Sequence, residues 1–173
     1  MRIIGIDPGL NITGYGIIED RPIKLIEAGV IRTRANTPIQ SRIKKIFDEI
    51  SLLIEEYSPG ALVLEKIYSH YKHPTTAILM GHARAMACLV CGKFDIQLFN
   101  YPSTRIKKAV TGNGHASKTQ VQRMVQNMLK LKRAPEPVDV SDALAIAMSY
   151  CFIEKGAGSK IPGSSKNDIQ YIR

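Results

Sequence analysis

Three β-strand patterns follow one another at the start of the chain, and the connections between them are too short to hold a helix. They cover Arg2–Asp7, Thr13–Glu19 and Ile23–Arg32, and the first turn begins with Asp-Pro-Gly. Antiparallel strands can be joined by tight turns, whereas parallel strands need a crossover of about a dozen residues or more. The opening of the chain therefore predicts an antiparallel meander.

The following segments alternate between helix and strand. Apolar residues recur at helical spacing from Ile39 to Tyr57, Pro59-Gly60 ends that pattern, and the apolar run Ala61–Leu64 comes next. A strand, a long helix and a second strand form a right-handed crossover, so we expect this strand to lie parallel to an earlier one. Ile96–Tyr101 is a fifth strand candidate. The chain is therefore predicted to have an α/β fold with a mixed sheet.

Four more helices are predicted in the second half. Thr75–Cys91 is apolar on nearly all sides in its later half, which is typical of a helix that is buried on two sides. Ser103 can cap a short helix to Val110, and the capping-box pattern Ser117-x-x-Gln120 opens a helix to Leu131. Asp139–Glu154 is the last helix. We expect one domain over residues 1–155 and a Gly/Ser/Lys-rich tail over 156–173 that is disordered on its own.

The charge of the chain favours a polyanionic partner. Lys and Arg number 24 against 15 Asp and Glu, so the formal net charge is +9, and nucleic acid is the simplest such partner. No stretch reaches ~18 uninterrupted apolar residues, so no transmembrane helix is expected. The N-terminus lacks the pattern of a signal peptide, and the three Cys are expected to be reduced thiols in a cytoplasmic protein.

Four carboxylates are candidates for a metal-dependent phosphodiester hydrolase. Asp7 and Glu65 each end a predicted strand, and Asp139 and Asp142 are spaced i, i+3 at the start of a helix, so they share one face. Carboxylate oxygens are the hard ligands that Mg²⁺ prefers. Two ions roughly 3.5–4 Å apart can activate water and stabilise a leaving oxygen.

Each carboxylate also has a purely structural interpretation. Asp7 belongs to a turn sequence, Glu65 is an ordinary charge at a strand end, and Asp139 is a helix cap with Asp142 near the positive end of the helix. Spacing alone does not establish that the four side chains converge.

The carboxylates belong to a longer series of short motifs. These are G-I-D-P-G at Gly5–Gly9, T-G-Y-G at Thr13–Gly16, L-E at Leu64–Glu65, G-x-A-R at Gly81–Arg84, K-x-x-V-x-G-x-G at Lys107–Gly114, S-K-x-Q-V at Ser117–Val121 and D-x-x-D-A-L-A-I-A at Asp139–Ala147. In order and spacing the series resembles the RuvC family of Holliday-junction resolvases over about residues 1–155. The combination of its first and last motifs is highly specific.

The resemblance implies a fold, an activity and a site. It implies a ribonuclease H-like fold with a mixed five-stranded sheet flanked by helices, a homodimer, and magnesium-dependent nicking of four-way DNA junctions in recombination and repair. The four family carboxylates fall on Asp7, Glu65, Asp139 and Asp142. Two Mg²⁺ ions per site are expected, with Mn²⁺ as a substitute, and the nicks leave 5′-phosphate and 3′-hydroxyl ends. The family also implies cooperation with a branch-migration complex.

The same resemblance implies DNA contacts by basic and aromatic residues. Lys107 and Lys118 match family lysines close to the scissile strand, where an ammonium can position a phosphate. Tyr68, in the loop to Lys72, stands where family members often carry Phe, and an exposed Tyr beside cations can stack on unpaired bases. Its alternative is to pack within its own loop. The remaining predicted DNA contacts are Lys72, Arg84 and Lys108.

Several alternatives remain open at this point. A similar Asp-x-Gly turn opens actin-like and sugar-kinase ATPases, which need about twice this length. A junction-binding module without catalysis and a ribonuclease H-like nuclease acting on RNA are the others. His70-x-x-His73 with Cys88-x-x-Cys91 superficially suggests zinc, but the Cys pair lies in an apolar helix and is better explained as two buried thiols.

Overall fold

The computed structural model describes residues 1–67 and 74–156, and it contains the predicted mixed sheet of five strands. Tyr68, Lys72 and the tail from residue 157 lie outside the described residues, as do His70 and His73. The strands are β1 (Arg2–Asp7), β2 (Ile12–Asp20), β3 (Ile23–Arg32), β4 (Ala61–Glu65) and β5 (Gln97–Tyr101). The helices are α1 (Ile39–Tyr57), α2 (Pro74–Phe94), α3 (Ser103–Thr111), α4 (Lys118–Met128) and α5 (Val138–Gly156).

The strand order is β3-β2-β1-β4-β5, which confirms both parts of the sheet prediction. β1, β2 and β3 form the antiparallel meander, while β4 pairs parallel with β1 and β5 pairs parallel with β4. The parallel register places Ile6 beside Leu64, so Asp7 and Glu65 are the next residues of neighbouring strands. Both carboxylates therefore leave the sheet at the same edge.

Side chains alternate between the two faces of the sheet, so each face has its own core. On one face, Ile3 and Ile18 pack with α3, α4 and α5. On the other face, Ile4 and Ile6 pack with α1 and α2. The core residues of α5 run almost without interruption from Val140 to Cys151, and this helix lies directly on β1 and β2.

Two predicted helix details are wrong. Ser103 is not a cap: Pro102 occupies the N-cap position and Ser103 is the first helical residue. The capping box of Ser117 and Gln120 is present, but α4 ends at Met128 rather than at Leu131. It ends there because Lys130 adopts a left-handed backbone, with φ 52°, which ordinary helix cannot continue.

Only one side of α2 is buried in this chain, so the expected burial on two sides is wrong for the chain by itself. Ala83, Ala87 and Val90 pack into the core, and Cys91 is buried beside them. On the opposite side, Ile78 is 61% exposed and Leu89 is 55% exposed. Burial of the whole helix within one subunit, which is one way to cover an apolar pattern of this kind, is therefore excluded.

By length and composition alone, one helix in residues 1–67 and 74–156 could cross a membrane. It spans Thr75–Phe94 and has a mean hydropathy of 1.3. It carries His82, Arg84 and Lys93, and the Arg84 side chain reaches back to the sheet. Length and composition are weak evidence for a membrane span, and one side of α2 packs against α1.

Candidate active site

A cavity of about 530 Å³ opens at the edge of the sheet where β1 and β4 end. Asp7, Glu65 and Asp142 line it together with Lys107 and Lys118. The strands supply the first two carboxylates, α5 supplies the third, and α3 and α4 supply the lysines. Five residues from five different elements therefore meet in one place.

Asp139 lies beside this cavity without lining it. It is in the first turn of α5, one turn before Asp142, and its backbone packs against Gly14 of β2. A Cβ atom at Gly14 would be 2.2 Å from the Asp139 carbonyl oxygen. Gly14 is itself paired with Asp7 across the β1–β2 ladder. The close approach of α5 to this glycine brings Asp139 near enough to Asp7 to raise its pKa.

The acidic side chains interact electrostatically, as expected of clustered carboxylates. Burial, with the charges of Asp142, Glu65 and Asp139, raises the pKa of Asp7 from 3.8 to about 7, and Lys118 opposes that rise. Burial also raises the pKa of Glu65, whereas a hydrogen bond with the Ser103 side chain lowers it. A site that holds its carboxylates at such a cost is stabilised by bound cations.

Lys118 provides part of the positive charge that these carboxylates need. Its Nζ atom donates to Oδ2 of Asp142 at 2.8 Å. That hydrogen bond raises the pKa of Lys118, and the charges of Asp7 and Asp139 act in the same direction. The Lys118 side chain is nevertheless 74% exposed, so it can exchange its carboxylate for a phosphate without breaking the fold.

The carboxylates surround the cavity loosely. In the part of the chain that the structure describes, no three His, Cys, Asp or Glu side chains are grouped closely enough to hold one metal ion. The donor set still fits Mg²⁺, because it consists of carboxylate oxygens with no sulfur or imidazole among them. The zinc alternative gains no support from Cys91, since it is buried in α2 and burial raises the pKa of its thiol to about 11.

Two residues at this site were missed by the sequence analysis in their present roles. Ser103, predicted as a cap, instead hydrogen-bonds the Glu65 carboxylate. Asn100, one residue before the end of β5, accepts a hydrogen bond from Nη2 of Arg84. Asn100 is a polar residue near the end of β5, but it does not end that strand as Glu65 ends β4, so the signal is weaker there.

The predicted DNA contacts have different surroundings. Lys107 lines the cavity, whereas the neighbouring Lys108 is exposed and points elsewhere. The part-buried guanidinium of Arg84 donates hydrogen bonds to Asn100 and to the backbone carbonyl of Glu65. A contact between Arg84 and DNA stays a prediction, and these two hydrogen bonds leave further N–H donors of the guanidinium for it.

Comparison with known proteins identifies the family that this chain matches. The family described as "Crossover junction endodeoxyribonuclease RuvC" matches residues 3–150. The protein of that name from Rhodopirellula baltica is 44% identical over 148 residues, which is 84% of this chain and 83% of its own. Its namesake from Legionella pneumophila subsp. pneumophila is 41% identical over 173 residues, covering 99% and 98% of the two chains.

A solved structure confirms the ribonuclease H-like fold. The structure described as "T. thermophilus RuvC in complex with Holliday junction substrate" has a TM-score of 0.84 and 28% sequence identity. The alignment covers 92% of this chain and 98% of that one. The similarity therefore extends over most of both chains.

Proposed function

The chain belongs to the RuvC family of crossover junction endodeoxyribonucleases, and from that membership we propose that it resolves four-way (Holliday) DNA junctions by paired nicks. One observation carries the proposal for this chain's own residues. Three carboxylates and two lysines converge on one cavity at the carboxyl ends of neighbouring parallel strands. That is the usual place for ligands in sheets of this kind.

The family implies a divalent metal, and we propose Mg²⁺, with two ions per site and Mn²⁺ as a substitute. Asp7, Glu65, Asp139 and Asp142 are the residues that would hold it. When bound, such ions lower the pKa of the attacking water and stabilise the leaving oxygen. The raised pKa values of Asp7 and Glu65 support this assignment, because cations would relieve the repulsion that helps to raise them.

The lysines of the site are proposed to act on the DNA phosphate. Lys118 and Lys107 lie on the same cavity as the carboxylates, and both lower the pKa of Glu65 by their charge. An ammonium at that position can hold a phosphate against the carboxylates and offset the charge that develops in the transition state. Hydrolysis in this arrangement leaves a 3′-hydroxyl and a 5′-phosphate.

Lys118→Ala is expected to slow cutting more than it weakens junction binding. The rate at saturating protein should fall about 10- to 100-fold, because a charge aimed at the transition state is lost. Binding should weaken by less than about 3-fold, because only one of many phosphate contacts disappears. Single-turnover cutting and gel-shift titration of the same junction measure the two effects.

Lys108→Ala is the matched control for that variant. Lys108 is exposed and lies outside the cavity, so its removal should leave the saturated rate unchanged. Equal losses of rate and of binding in Lys118→Ala would contradict a catalytic role for Lys118.

We propose a homodimer in which a second copy covers the exposed side of α2. Ile78, His82, Ala85 and Leu89 recur at helical spacing, and all four are exposed. Three of the four residues of this stripe are apolar, and apolar surface of this kind is costly to leave in water. A four-way junction has approximate two-fold symmetry, so two opposed cuts require two sites related by a similar axis, which a two-fold dimer provides.

Leu89→Glu is expected to convert the dimer into a monomer at micromolar concentration. A carboxylate in the centre of an apolar interface loses its water without gaining a partner. Sedimentation velocity measures the change in mass. Leu52→Glu is the matched control, because Leu52 of α1 is 58% exposed against 55% for Leu89 but lies outside the stripe. A monomeric wild-type protein, or equal effects of both variants, would refute the interface.

Two further proposals come from family membership alone. The enzyme is proposed to work in the cytoplasm, and to act together with a branch-migration complex that moves the junction past it. The net charge of +9 favours binding to the polyanionic backbone of DNA.

A labelled synthetic four-way junction tests the proposed function directly. Incubation with and without Mg²⁺, with cut positions mapped on all four strands, should give nicks on two opposed strands only when Mg²⁺ is present. RNA duplex and ATP are the comparison ligands. Preferential cutting of RNA, or tight ATP binding without any cutting, would replace the proposal with one of its rivals.

A further inference from the structure

We propose that Arg84 and Asn100 form a clamp that positions the Glu65 carboxylate, so that Arg84 is a positioning residue of the active site. The inference rests on the proposed function, because it assigns Arg84 a task in the same metal site. The observation that carries it is a pair of hydrogen bonds from one guanidinium to the ends of two neighbouring strands.

The clamp joins three elements of the fold at one point. Nη1 of Arg84, from α2, donates to the Glu65 carbonyl oxygen at 2.6 Å. Nη2 donates to the side-chain oxygen of Asn100. Leu64 and Asn100 are paired across the parallel β4–β5 ladder, so the two acceptors belong to adjacent strand ends. A guanidinium presents its donors in a rigid fork, and it can therefore fix both acceptors at once.

Glu65 needs such a support because regular pairing stops beside it. The backbone N–H of Lys66 donates to the Tyr101 carbonyl at 2.9 Å, and this is the last bond that the structure describes between the two chain segments before the residues outside the description begin. Glu65 is thus the final residue of β4. Beyond it, the described backbone makes only the Lys66–Tyr101 hydrogen bond to the neighbouring strand. Fixing the Glu65 carbonyl fixes the direction in which its side chain leaves the chain.

The other end of the clamp is firmly held. Tyr101, the residue after Asn100, is 4% exposed and donates its hydroxyl proton to Oε1 of Glu154 at 2.8 Å. The guanidinium of Arg105 lies 5.4 Å from the centre of the Tyr101 ring. The end of β5 is therefore tied to α5, the helix that carries Asp139 and Asp142. Arg84 and the end of β5 therefore link Glu65 to the helix that carries two other carboxylates of the site, Asp139 and Asp142.

Asn100→Ala is the decisive variant, because Asn100 belongs to the clamp and does not line the cavity. Its loss should lower Mn²⁺ affinity, measured by electron paramagnetic resonance on the DNA-free full-length protein, by about 10-fold or more, the range seen when supports of metal ligands are removed. Single-turnover cutting of a four-way junction should slow by a similar factor. Junction affinity in EDTA should stay within about 2-fold of wild type.

Two conservative variants separate positioning from general loss of structure. Asn100→Asp retains an oxygen acceptor for Arg84 and should recover Mn²⁺ affinity to within about 3-fold of wild type. Arg84→Lys keeps the charge but has no fork, so it should resemble Asn100→Ala in Mn²⁺ affinity and in rate. A merely structural role would make all these changes follow the melting temperature, and Asn100→Asp would then give no selective recovery of metal binding.

The outcomes distinguish this inference from the proposed function. Wild-type Mn²⁺ affinity in Asn100→Ala would overturn the clamp, and so would a selective loss of junction affinity in Arg84→Ala with no change in Asn100→Ala, which would identify Arg84 as a DNA contact. If the wild-type protein cut no junctions at all, the proposed function would fail, while the Mn²⁺ titrations would still support or overturn the clamp.

Discussion

Asp7→Asn is expected to abolish junction cutting while junction binding remains. Asp7 ends the central strand β1 and is the carboxylate on which the other three act electrostatically. An amide presents one neutral oxygen in place of a charged ligand, so the divalent ion loses its central partner. The rate should fall by more than about 100-fold, beyond the loss caused by removing a residue that only supports a metal ligand.

The measurement pairs a single-turnover cutting assay with junction binding in EDTA. Asp48→Asn is the control, because Asp48 is an exposed carboxylate on α1 whose partner is Lys44. It should cut at the wild-type rate. Wild-type cutting by purified Asp7→Asn would show that the carboxylate cluster is not the active site.

The same variant should be more stable than wild type in the absence of metal. The folded protein raises the pKa of Asp7 from 3.8 to about 7, chiefly by burial. Between about pH 4 and 7 the folded state therefore binds more protons than the unfolded chain, so this group lowers the stability of wild type as the pH rises and has no further effect above that window.

Because Asn cannot ionise, the variant does not lose this stability as the pH rises. At about pH 8 in EDTA, Asp7→Asn should exceed wild type by on the order of 2 kcal/mol after allowance for solvent screening, or about 4–8 °C in melting temperature. The difference should vanish toward pH 4. Thermal melts across that range measure it, and a stable but inactive variant shows that inactivity does not come from unfolding.

The sheet could be predicted from the sequence because its rules are local. Tight turns forced β1 to β3 into a meander, and the crossover rule placed β4 parallel to an earlier strand, which the structure shows to be β1. Once those strands are adjacent and parallel, Asp7 and Glu65 must leave the sheet side by side. Periodicity and connection length thus predicted a parallel pairing, whereas the partner strand and the register that place these two residues side by side are given by the structure.

The remainder of the site depends on contacts that a sequence pattern does not encode. Arg84 lies in an apolar helix that also carries Lys93, and one of its acceptors is the backbone carbonyl of Glu65, which every residue type possesses. Helix α3 caps at Pro102, one residue earlier than predicted, so the Ser103 side chain interacts with Glu65 and not with the helix end. Such choices are decided by packing between distant elements, after the elements themselves have formed.

Gly14, the first glycine of T-G-Y-G, is a further residue whose role depends on packing between distant elements. Its substitution gives the second large effect that we expect on stability and activity. Gly14→Ala should destabilise the fold and stop cutting, because its Cβ would be 2.2 Å from the carbonyl oxygen and 2.7 Å from the carbonyl carbon of Asp139. Both are backbone atoms of α5, so relief requires the whole first turn of that helix to move. Overpacking of this kind costs about 3 kcal/mol or more, or about 6–12 °C in melting temperature for a chain of this size.

Gly29→Ala is the matched control, since Gly29 lies in the neighbouring strand β3 and is paired with Tyr15. Its Cβ would be 2.7 Å from the Tyr15 hydroxyl oxygen, a similar overlap, but against the far end of a partly exposed side chain that can turn aside. That variant should lose less than about 1 kcal/mol and cut normally. If both variants melt and cut alike, β-strand propensity rather than the approach of α5 explains the glycine. If only Gly14→Ala loses stability and activity, the distance between β2 and α5 is what holds Asp139 within reach of Asp7.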